Sequence, residues 1–224
     1  TRSPQPWSAP ARAAPRRLAP DDVPRMDVRR HLLLLAGALL MSAAARATDF
    51  SAQLDRRWDY AKPEVSEARF REALREYPAN SREALEIATQ IARAQGLQRR
   101  FDTAHATLDK IESELSRVDV RVRIRGLLER GRVFNSSGSP AKAVPLFRQA
   151  AETAAGSGRP GDAFYEVDAL HMLGIASPPA ERLDWNLRAL EVAERTADAR
   201  ARGWRASLYH NIGWTYFDRG DHAT

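Results

Sequence analysis

The segment Tyr209-His-Asn-Ile212-Gly213-Trp-Thr-Tyr216-Phe-Asp-Arg-Gly220-Asp sets large residues around one glycine at spacings of three and four. On a helix this spacing puts Tyr209, Ile212, Gly213 and Tyr216 on one face. The face has ridges beside a gap, and it is buried only when a second helix lies close against it. The same arrangement recurs upstream. Leu127 precedes Gly131 by four and Phe134 follows it by three, while Leu170 and Leu173 lead into Gly174. A chain made of such helices is restricted to helix pairs that stack, because one pair alone cannot bury its apolar face.

From Ser51 onward the text has helical periodicity and no convincing strand. Val and Ile seldom alternate, while Ala, Leu, Glu and Arg dominate. The breaks are short. Lys62-Pro63 and Ser139-Pro140 place proline at the first helical position, where no N–H is needed. Asn80 and Glu83 are spaced as a capping box after Pro78. Asn135 to Pro140 is a turn centred on Gly138, Gly156 to Gly161 is a loop, and Pro178-Pro179 is a further break.

Between these breaks the residues resemble tetratricopeptide repeats (TPR). In the pair around residues 124–156, Gly131 and Phe134 fit the first helix, and Ala143, Phe147 and Ala150 fit the second. Phe70, Ala73, Leu74 and Pro78 match the end of an earlier repeat. Residues 81–113 resemble a repeat with an insertion at Gly96–Phe101; its cores would be Ala84, Ile87, Ala88 and Ile91, then Ala104 and Leu108. Leu170, Leu173 and Gly174, with Trp185, Ala189 and Leu190, make another. There Ser177 stands in place of Tyr, and the helices are about four residues too close, which predicts a tightened turn at Pro178-Pro179. Tyr209–Gly220 fits a last first helix, whose covering helix is not in the sequence, so the reading is of a fragment truncated at its C-terminus. The resemblance implies an all-α, right-handed superhelical solenoid of antiparallel helix pairs over residues 48–224.

The preceding residues read differently. Residues 1–25 are rich in Pro, Ala and Arg without a period; the reading is a disordered stretch, outside the natural product if Met26 is the start. From Met26, Arg29 and Arg30 precede an apolar core from Leu32 to Ala45, and Ala45-Arg46-Ala47 gives a small-x-small cleavage site. Residues 26–47 therefore read as a signal peptide, with the product exported to the periplasm or secreted. The alternative is an uncleaved leader on a cytoplasmic protein. The core is shorter than the roughly 20 apolar residues of a bilayer span, so no stable membrane span is expected after cleavage. Of the formal net charge of +6, residues 1–47 carry +5 and the remainder only +1. That near-neutral remainder argues against nucleic acid as a partner.

Little in the chain points to catalysis. Cysteine is absent, which removes disulfides, thiolate metal sites and a thiol nucleophile. His105 and Asp109 are four apart and Asp168 and His171 three apart, but each is a pair, and a catalytic metal takes three protein ligands. No serine lies in a G-x-S-x-G elbow, and Gly156-Ser-Gly-Arg-Pro160-Gly161 follows a helix, not a strand. The sequence is thus read as a non-enzyme without metal, cofactor or catalytic residue. The run Val118 to Arg125, continued by Arg130 and Arg132, suits either a phosphate-binding stripe or ion pairs with neighbours such as Asp119 and Glu129.

The resemblance implies a concave groove lined by first helices, with a protein or peptide partner lying along it. It would put Arg125, Leu128, Arg132 and Asn135 in the groove in one repeat, and Ser207, His210, Trp214 and Phe217 in the last. Trp214 beside His210 is the most binding-like pair, although Trp214 suits equally a contact with a following helix. The expectation is an interaction scaffold. The alternative is a regulatory or sensory repeat half whose enzymatic or DNA-binding effector lies beyond residue 224.

Overall fold

The computed structural model describes residues 50–115, 117–159 and 161–221, all within the unit Ser42–Thr224. The stretches 1–25 and 26–47 lie outside the described residues. After a helical stretch at residues 50–55 come α1 (Pro63–Leu74), α2 (Arg82–Leu97), α3 (Phe101–Leu115), α4 (Val120–Ser136) and α5 (Pro140–Gly156). These are followed by α6 (Ala163–Ala176), α7 (Pro179–Arg195), the single turn α8 (Ala199–Arg202) and α9 (Arg205–Asp218). The described residues contain no strand.

The starts follow local chemistry. Pro63, Pro140 and Pro179 stand in the first turns of α1, α5 and α7, where a missing N–H costs nothing. Asp119 caps α4, its carboxylate accepting from Arg121 N at 2.9 Å. The expected capping box at Asn80 is shifted by one residue. Ser81 is the cap of α2, its Oγ accepting from Ala84 N at 3.2 Å. Asn80 instead takes φ +64°, the left-handed turn that Asn tolerates. Glu83 is drawn to Arg82, Nη1 to Oε1 3.2 Å. Ser139 is at the cap of α5, without a side-chain bond.

Helices adjacent in sequence lie against one another from α1 to α8, α9 packs on α7, and α2, α4 and α6 also pack in a row. The arrangement is a serial all-α stack of helix pairs. Three apolar clusters run through it. Leu54, Phe70, Ala73, Ile87 and Ile91 bind residues 50–55 to α1 and α2. Leu85, Ala92, Leu108 and Val122 join α2, α3 and α4. The largest runs from Ile124 to Leu208. Gly131 lets α5 come close: a Cβ there would lie 2.5 Å from the fully buried Phe147 ring. Burying such a ring contributes about 1.5–3 kcal/mol. The tight turn at Pro178-Pro179 is present. Only Ser177 and Pro178 separate α6 from α7, and Ser177 N donates back to Leu173 O at 2.9 Å.

Candidate functional site

The row of α2, α4 and α6 is where the sequence reading put its groove, and four of the eight proposed residues stand there. Arg125 and Leu128 are buried. Arg125 donates to Glu86 Oε1 at 2.8 Å and Asp55 Oδ1 at 2.7 Å, with its guanidinium over the Tyr165 ring. Burial works against its charge, but Tyr165, Asp55 and Glu86 outweigh that and raise its pKa. Arg132 grips Asp168 through Nη2, 2.5 and 2.6 Å to the two oxygens, and reaches Glu129 at 2.7 Å. Burial alone would push Asp168 up; Arg132 and Arg93 hold it below the usual carboxylate value. Asn135 is half-buried at the end of α4.

This face is filled from within. Asp55 pairs with Arg200 of α8 as well as with Arg125, and Arg200 lies over the Phe164 ring, 3.9 Å from its centroid. Arg121 pairs with Asp162, and Arg159 with Asp119. Four arginines of the run on α4, Arg121, Arg125, Arg130 and Arg132, are therefore committed to ion pairs, while Arg123 is exposed. Tyr165 sits among Arg121, Arg125 and Arg200, its hydroxyl without a hydrogen-bond partner among the described residues. A sequence pattern does not pair Asp55 with Arg125 or Arg200, because the contacts are long-range. The His–Asp pairs are taken up likewise. Arg130 contacts the His105 ring and Asp109, and His171 meets Asn211 while Arg132 holds Asp168. Among the described residues no three metal-ligating side chains cluster.

The other four proposed residues lie on α9 and remain exposed: Ser207, His210, Trp214 and Phe217. Tyr209 joins them. Tyr209, Trp214 and Phe217 are 54%, 54% and 59% exposed, and Trp214 meets Phe217 edge-on at 5.4 Å. Gly213 lies among them with nothing within 4 Å of a would-be Cβ. Leu208 and Ile212, on the other side of α9, are buried. The structure thus separates the eight residues: those on α4 are mostly committed to internal contacts, and those on α9 form one aromatic surface.

Three clefts repeat along the stack. The first lies between α1 and α3 over α2, the second between α3 and α5 over α4, the third between α5 and α7 over α6. Their volumes are about 450, 280 and 270 Å³. The second and third carry charges of both signs, such as Glu112 with Arg130 and Glu166 with Arg188. No helix of the described residues is long and apolar enough to cross a membrane. Comparison with known families, curated proteins and solved structures finds no match to this chain.

Proposed function

We propose that the protein is a non-enzymatic interaction scaffold of the TPR kind, exported by way of residues 26–47, with its partner surface on α9. The serial helix stack and the close approach at Gly131 support the repeat reading. One observation carries the site: Tyr209, Trp214 and Phe217 are more than half exposed along one helical face. Large contiguous apolar exposure marks contact surfaces, and aromatics dominate binding energy where they are present. The partner is a protein or peptide segment that offers apolar side chains to these rings. The face of α2, α4 and α6 acts instead as an internal strut, since its charges already neutralise one another.

The test is photo-crosslinking in cells with the natural full-length product. A benzophenone amino acid replaces Trp214 in one variant and the exposed Glu72 of α1 in another. A discrete adduct at 214, absent at 72 and lost on Phe217→Ser, supports the α9 surface. The same adducts from both positions sink it.

A further inference from the structure

The first cleft differs from the other two in size and in charge. Its floor is Ala84, Leu85, Ala88 and Ile91 of α2, and its walls carry Leu74 of α1 and Ala106 and Ile111 of α3. Two cations line it, Arg71 and Lys110, and no carboxylate does. Arg71 pairs with Glu67, Nη2 to Oε1 2.7 Å, a carboxylate it shares with Arg100. Part of its polar wall is spent as well: Thr107 Oγ1 donates to Gln95 Oε1, and Gln95 Nε2 donates to Glu67. Lys110 makes no hydrogen bond or ion pair among the described residues. The cleft therefore offers an apolar slot with one uncommitted positive charge at its rim. Its volume of about 450 Å³ falls in the range of small-molecule sites, which are mostly apolar with a few polar groups to orient the ligand.

The slot is narrow. Leu85 and Ile91 are each 2% exposed and Ala88 8%, although all three line it. An α-helix with its side chains, about 10–12 Å across, needs a floor more open than that. A slender chain does not. Cations without a lining carboxylate match an anionic head, and the apolar floor matches an acyl tail. We infer that the cleft between α1 and α3 binds a fatty-acid-like ligand, with the acyl chain along α2 and the carboxylate at Lys110. This binding is separate from the partner surface on α9.

The test is titration calorimetry of the full chain with saturated fatty acids of rising length, each below its micelle concentration. Dodecanol and dodecyltrimethylammonium serve as neutral and cationic controls. Saturable one-to-one binding of dodecanoate is expected, tightening about fourfold per added methylene until the slot is full. Lys110→Glu should weaken dodecanoate about fivefold and leave dodecanol unchanged. Ala106→Trp, at an exposed wall position, should abolish binding of both at an unchanged melting temperature. Binding indifferent to chain length overturns the inference, as does dodecyltrimethylammonium binding as well as dodecanoate. Binding untouched by Ala106→Trp overturns it too, as does a cleft that takes an acidic amphipathic peptide but no fatty acid.

Discussion

Arg125 is the residue on which the face of α2, α4 and α6 depends most. Its guanidinium serves two carboxylates, and one of them, Glu86, has no exposed side-chain surface. Removing one member of a buried pair leaves the other charge uncompensated, which costs about 3–5 kcal/mol. Glu86 would retain Arg82 at 3.0 Å and Ser51, so Arg125→Ala should fall near the lower end. Urea denaturation checks this, and a loss below about 1 kcal/mol would mean that Glu86 relaxes onto Arg82. Histidine sets a second expectation. Burial, aided by Arg132 and opposed by Asp168, holds His171 below its ordinary value of 6.5. The folded state thus prefers the neutral ring more than the unfolded chain does. Its contribution is complete above about pH 6.5 and is lost as the pH falls through the lower folded value. His105 is lowered in the same direction, by burial and then by Arg130. The melting temperature should fall between about pH 7.5 and pH 5, and by less in the His105→Asn, His171→Asn double variant. Equal slopes would remove histidine from the account.

Gly131, Gly174 and Gly213 hold equivalent places in three helices, and the sequence presents them alike. The structure divides them. A Cβ at Gly131 would meet the Phe147 ring, and one at Gly174 the Asn186 amide, whereas one at Gly213 meets nothing within 4 Å. Gly131→Ala should therefore cost about 1–3 kcal/mol by overpacking, with part recovered by adding Phe147→Leu. Gly213→Ala should be neutral or stabilising by up to about 1 kcal/mol, from helix propensity alone. Thermal melts of the variants decide it; an equal loss at both positions would show that α9 is as tightly covered as α4. Much of the element level was legible, because proline at a first helical position, apolar spacing of three and four, and short breaks are local signals. The cap at Ser81 was missed by one residue, since Asn80 and Ser81 are both good caps and only the left-handed turn at Asn80 selects between them. The placement of the eight candidate residues, buried or exposed, was legible in half. Exposure of Trp214 and Phe217 followed from their position on the helix. The burial of Arg125 did not, because its partners Asp55 and Glu86 stand 70 and 39 residues away.

A serial stack transmits stability mainly between neighbours, and the three apolar clusters follow one another along this chain. Asp55 is the exception. It lies in the first described helical turns, and its carboxylate reaches Arg125 on α4 and Arg200 on α8, the latter across 145 residues. The cluster around Leu54 and Phe70 is thereby tied to a part of the stack it does not touch through apolar contacts. Asp55→Asn keeps the shape and removes the charge that both guanidiniums share. The cluster around Leu54 should then open separately, and the cluster from Ile124 to Leu208 should keep its own stability. Hydrogen exchange read by peptide is the measurement. Protection should drop at residues 52–57 and 199–203 together, and hold on α5 and α6. The drop should also be imitated in the unsubstituted chain by raising salt, because Asp55 and Arg200 are each about one-third exposed and partly exposed charges are screened. A drop confined to residues 52–57, with 199–203 unchanged, would show that Arg200 is held by the Phe164 ring rather than by Asp55. The long-range tie would then reduce to Arg125 alone.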